Sequence, residues 1–154
     1  MMMFQKRSDR WVSVVMLLIV LASVPAFAEK EHRSVVCAKF SCCAGLIIDS
    51  RGCLYSANPQ TGNIYCIPPG IEPVLLGRVE GKPTVLAVDR LRILFVATES
   101  GVVYQVERTG EIKKAFHVHG TPVGLAVDRD GGLIIAIQNG TILRVRRSGL
   151  LSMQ

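Results

Sequence analysis

Beyond Trp11 the sequence holds no tryptophan, and beyond Cys66 no cysteine. Charge is scarce as well, at 19% of residues against 49% hydrophobic. Each shortage narrows the reading. No two cysteines stand in the C-x-x-C spacing of a zinc knuckle. The first of the five, Cys37, lies nine residues past Ala28, too far from the N-terminal apolar run for a lipid-modified cysteine. Cationic residues are spread out beyond the N-terminal segment, with Arg144, Arg146 and Arg147 the densest group, and they are not interleaved with aromatics. A nucleic-acid surface is therefore not expected. Arg144 and Arg146 stand two apart, so on a strand they share one solvated face. There is no Ser-His-Asp order, no phosphate-cradling glycine loop and no paired-carboxylate motif.

Part of the apolar excess sits at the front. Lys6, Arg7 and Arg10 precede an apolar run from Trp11 to Val24, and "PAFAEKE" follows with Ala26 and Ala28 two apart. A positive start, a short apolar stretch and small residues at that spacing predict a signal peptide over 1–28, cut after Ala28. The mature chain, 29–154, is then secreted or periplasmic. The competing expectation is an uncleaved anchor, which is the only route to a membrane here. Residues 1–28 carry three positive charges and one negative, so their removal lowers the net charge from +6 to +4. Export implies an oxidising compartment in which disulfides form. Five cysteines (Cys37, Cys42, Cys43, Cys53, Cys66) leave at least one outside any intramolecular bridge.

The rest of the chain repeats itself. "AGLIIDSRGCLYSANPQTGNIYCI" (44–67), "GKPTVLAVDRLRILFVATESGVVYQV" (81–106) and "GTPVGLAVDRDGGLIIAIQNGTILRV" (120–145) share one pattern. Asp49, Asp89 and Asp128 fall at intervals of 40 and 39 residues, each after an apolar run and four residues before another. Gly62, Gly101 and Gly140 mark the next turn, and a third apolar run follows each. Short β-branched and aromatic runs between turn residues read as strands. "PVLLGRVEGKP" and "IKKAFHVHGTP" add a fourth strand and end in Gly-x-Pro turns. Units of about 40 residues with four strands have the dimensions of β-propeller blades, placed at about 44–83, 84–122 and 123–147. A leucine-rich solenoid has a shorter period, and a WD-type propeller needs Trp-Asp pairs that are missing here. The three aspartates read as turn formers whose carboxylates accept backbone N–H groups.

"TPVGLAVDRDGGLIIA…NGTILRV" resembles the NHL-type repeat and the blades of the gluconolactonase and senescence-marker-protein family, over about residues 44–147. The resemblance implies a six-bladed propeller. Its lactonase branch implies a divalent metal at the channel mouth, with a Pro-Asp-Gly turn before an inner strand supplying an aspartate ligand. The matching places here read Pro122-Val123-Gly124, Pro83-Thr84-Val85 and Cys43-Ala44-Gly45, with no carboxylate among them. Valine cannot ligate a hard cation.

Two further groups of residues draw attention. His117 and His119 share a strand face and could grip a transition metal, but the repeat aligns them with Arg78 and Glu80 and aligns Val118 with Val79. That register places the valines in the core and the histidines at solvent. Cys53 and Cys66 face each other if Ala57 pairs with Gly62, which allows a cross-strand disulfide; pairing of Cys37 or Cys43 with either is equally open.

An all-β partial propeller of about three four-stranded blades follows. Propellers close with four to eight blades. The third repeat shows three strands, and "RSVVCAKF" (33–40) is a strand without a blade. Two chains joined head to tail would close a six-bladed ring, each N-terminal strand completing the other's last blade. A partner propeller chain carrying the remaining blades is the other solution. The expected function is that of an exported, non-catalytic binding or scaffold module without cofactor. The alternatives are a metal-dependent lactonase or esterase-like hydrolase, in which a divalent metal would serve, and a degenerate propeller fragment.

Overall fold

The computed structural model describes residues 43–146, all of which belong to the compact unit Val36–Gln154. The expected signal segment 1–28, the candidate strand 33–40, Cys37 and Cys42 lie outside the described residues.

Among the described residues there are eleven strands and no helix. The first sheet is a meander of β1 (Ala44–Ile48), β2 (Leu54–Ala57), β3 (Asn63–Ile67) and β4 (Val74–Arg78). The second repeats it with β5 (Pro83–Val88), β6 (Leu94–Thr98), β7 (Val102–Val106) and β8 (Ile112–His117). The third has β9 (Pro122–Val127), β10 (Leu133–Ile137) and β11 (Ile142–Val145). All pairings are antiparallel. The first strands pack side by side, β1 on β5 and β5 on β9, so the sheets radiate from a common axis like blades. Pro83 and Pro122, placed at the ends of repeats by the sequence, each open the inner strand of the following blade. A proline is tolerated as the first residue of a strand, where it removes no interior ladder bond.

Period-two alternation gives each blade two apolar faces. In the first blade Ile47, Tyr55 and Cys66 share one face and Leu46, Ser56 and Tyr65 the other. One core layer therefore sets Tyr55, Ala57 and Ile64 against Leu86, Leu94 and Tyr104; the next sets Phe95, Ala97 and Val103 against Leu133 and Ile135. Strand β6 lies between both layers and is buried at all five positions. Fully burying a Val, Leu or Ile side chain stabilises by roughly 1.5–3 kcal/mol, so these layers rather than strand propensity hold blade to blade.

The register of the first hairpin corrects the sequence reading. Ala57 pairs with Ile64 rather than Gly62, and Tyr55, not Cys53, stands opposite Cys66. Beyond the end of β2 the Asn58 N–H still bonds the Asn63 carbonyl, at 2.8 Å. The Asn58 side chain then accepts from the N–H groups of Gln60 and Thr61 at 2.8 and 3.1 Å, shaping a loop longer than a tight turn. Cys43, Cys53 and Cys66 are thiols in this structure.

Candidate functional site

The meander sorts the loops to two ends. One end collects the turns after each inner strand (49–53, 89–93, 128–132) and the turns before each outer strand. The other collects the hairpin turns (58–62, 99–101, 138–141) and the links between blades (79–82 and 118–121).

At the first end each repeat aspartate caps its own turn. Asp49 accepts from Arg51 N and Cys53 N at 2.9 and 3.0 Å, Asp89 from Ile93 N at 2.8 Å, and Asp128 from Asp130 N and Gly132 N at 2.9 and 2.8 Å. Each carboxylate is engaged first by the turn of its own blade. Two of them also hold a guanidinium, by different routes. Arg144 in β11 bonds Asp128 within its own blade, at 2.6 Å through Nη2. Arg92 reaches back from the second blade to Asp49 of the first, Nε to Oδ2 at 2.6 Å. It also lies 3.4 Å from the Tyr55 hydroxyl and 3.7 Å from Cys53 Sγ.

Arg92 is the only non-glycine residue of positive φ among the described ones, at 66°. The same place in the other blades is Gly52 (φ 80°) and Gly131 (φ 79°). An L-residue there loses roughly 1–2 kcal/mol to crowding of its Cβ. The sequence carried this signal, in Asp-x-x-Gly twice and Asp-x-x-Arg once, but nothing in it revealed the partner. Around this arm lies a cavity of about 150 Å³, bordered by Tyr55, Cys66, Arg92 and Glu107. Burial alone would raise the Asp49 carboxyl; the Arg92 guanidinium, the two N–H groups and the Tyr55 hydroxyl together hold it below its ordinary value. The Tyr55 hydroxyl is pushed up to about 12, chiefly by burial, with Asp49 adding and Arg92 opposing. Burial, with Cys53 beside it, pushes the Cys66 thiol up. A carboxylate locked by four donors and a guanidinium locked in return form an interblade clamp.

The second end is pinned by backbone and shows its side chains to solvent. Each link bonds the next hairpin turn, Glu99 N to Lys82 O at 2.8 Å and Gln138 N to Thr121 O at 2.9 Å. Val79 N and Val118 N bond the carbonyls of Gly62 and Gly101 at 3.0 and 2.9 Å. A Cβ on either glycine would run into the Val79 or Val118 carbonyl oxygen, which is why glycine recurs there. On this frame lies an open cavity of about 760 Å³, bordered by Gln60, Thr61, Arg78, Glu80 and Lys82. Lys82 pairs with Glu99 at 3.3 Å, and Glu80 with Lys114 at 2.8 Å, both across exposed surface. His117 and His119 stand at the same end, exposed, with rings edge to face at 5.6 Å, and His117 Nε2 lies 3.0 Å from the Ser100 carbonyl. Val118 between them is buried. Among the described residues no three His, Cys, Asp or Glu side chains are grouped to hold a metal ion.

At the start of each inner strand a β-bulge interrupts the ladder, at Gly45, Thr84 and Val123. In the second and third blades this is where the family resemblance would place an aspartate ligand; in the first that place is Ala44, one residue earlier. The Thr84 hydroxyl instead bonds the Pro122 carbonyl at 2.9 Å, with the Ala97 carbonyl at 3.2 Å, tying β5 to β9. One engaged hydroxyl, with alanine and valine at the other two places, does not match the six to eight oxygens that calcium takes. The donor set at this place does not fit the metal of the lactonase branch.

Blades radiating from adjoining inner strands define a β-propeller fold. Among solved structures, regucalcin from Agrobacterium tumefaciens, described as a calcium-binding protein, is similar with a TM-score of 0.62 at 13% identity, over 73% of this chain and 48% of its own. A candidate gluconolactonase gives 0.56 at 16% identity, over 66% and 44%. Virginiamycin B lyase from Staphylococcus aureus gives 0.54 at 14% identity, over 68% and 41%. The chain thus spans less than half the length of these three propeller proteins. No protein-family model and no curated protein matches the sequence.

Proposed function

We propose that this chain is an exported, non-catalytic binding module that meets its ligand at the end formed by the hairpin turns and interblade links. The observation behind this reading is the division of labour between the two ends. At one, the three repeat carboxylates cap turns, and Asp49 also holds the interblade clamp. At the other, a backbone-pinned frame leaves Gln60, Arg78 and Lys82 exposed around an open cavity of about 760 Å³, and His117 and His119 exposed elsewhere at the same end. Loops on a rigid scaffold are where proteins place recognition. Mixed charge and imidazole suit a polar surface such as a folded protein or peptide.

A photo-crosslinking residue at Gln60 and, separately, at Arg129 on the opposite end tests the reading in cells. Adducts from position 60 and none from 129 are expected. Equal adducts from both ends would sink it. The likeness to a candidate gluconolactonase favours the second reading, a metal-dependent lactonase or esterase-like hydrolase. Calcium- or zinc-dependent turnover of a lactone panel by the pure protein would establish that instead.

A further inference from the structure

The outward faces of the first and third blades carry the residues that the middle blade buries. Leu46 of β1 is 67% exposed, whereas Leu86, at the same place in β5, is 7% exposed against the first blade. Ile142 of β11 is 72% exposed, whereas its counterpart Val103 is fully buried against the third blade. These two flanks are the two halves of a joint that the chain already forms twice, between blades one and two and between two and three. An apolar face built to interblade specification and left in water marks an interaction surface.

We propose that a second copy of this chain covers both flanks, the third blade of each docking on the first blade of the other. Blade number supports this occupant. The described residues form three blades, so two copies about a two-fold axis would supply six, within the four to eight at which propellers close. The polar end of the joint agrees. In the first internal joint the second blade sends Arg92 into Asp49. The first blade has Gly52 where Arg92 stands, so it brings no such arm to an incoming third blade. Asp128 needs none, since Arg144 of its own blade already holds it. The second internal joint likewise forms without such an arm, Gly131 standing at that place. The proposal is independent of what the loop end binds.

Light scattering on a sizing column, with the full chain as expressed, tests it. The expected mass is twice that of the chain, and Leu46→Glu and Ile142→Lys each reduce it to that of one chain. Mixing the two variants restores a dimer, because in the mixed ring one joint carries both substitutions and the other carries neither. A face-to-face dimer with like flanks together would not recover on mixing. A monomeric wild type, or a dimer indifferent to both substitutions, overturns the proposal. The flanks would then belong to chain segments outside the described residues or to a different protein.

Discussion

Arg92 sets a strained backbone against an ion pair, and the two contributions can be separated. Arg92→Ala removes the guanidinium and keeps a side chain at positive φ; Arg92→Gly removes the guanidinium and the crowding together. The order of thermal midpoints is expected to be wild type, then glycine, then alanine, with the alanine variant roughly 5 °C below glycine, as about 1 kcal/mol implies for a domain near this size. An alanine variant equal to glycine would show that the left-handed conformation is not held in the folded state. Acid sharpens the test. The Asp49 carboxyl is held below its ordinary value in the folded protein. Its contribution is therefore complete above the unfolded value of about 4 and is lost as pH falls below that toward the folded value. Without the guanidinium the burial penalty acts with less opposition, so the alanine variant should lose stability less steeply than wild type between about pH 4 and pH 2.

At the level of the element, the hairpin turns pose a paired experiment. Gly101 has φ 87° and its Cβ position collides with the Val118 and Gly120 carbonyls of the strand-ending link beside it. Gly140 has φ 88° in the corresponding turn, and nothing lies within 4 Å of its Cβ position. The first blades have a fourth strand against this turn; the third, among the described residues, does not. Gly140→Ala should lose only the roughly 1–2 kcal/mol of the left-handed conformation, and Gly101→Ala distinctly more, since the link must also move. Urea midpoints with unchanged m-values would measure both. A loss at position 140 as large as that at 101 would reveal a fourth strand packed over the third blade. The same elements show what could be read in advance. Asp49, Asp89 and Asp128 in register, with β-branched runs between glycine turns, are local signals, and they made the strands and blades legible. The first hairpin's register was missed because it depends on the Asn58 carboxamide closing on two N–H groups, a matter of side-chain geometry that composition does not express. Arg92 was missed for a related reason. Its partner lies 43 residues away, and only packing of blade on blade brings them together.

For the molecule as a whole, the interior is a set of joints rather than one central core, and stability should follow the number of joints each blade makes. The middle blade is sandwiched, with Leu94, Val96 and Val106 buried toward the first blade and Phe95, Ala97 and Val103 toward the third. Among the described residues, each outer blade is held on one face only. Thr84 and Arg92, two of the side chains that cross from blade to blade, both start from the middle blade. It therefore anchors its neighbours, and its opening requires both joints to break, whereas an outer blade can loosen by giving up one. A flanking partner changes that count by adding a joint to each outer blade and none to the middle one. The ring proposed above and an open arc thus differ in where protection lies. In the arc, a gradient runs from β6 outward to β2 and β10, because local opening exposes only one layer. In the closed ring, all three blades are sandwiched alike, and the gradient disappears.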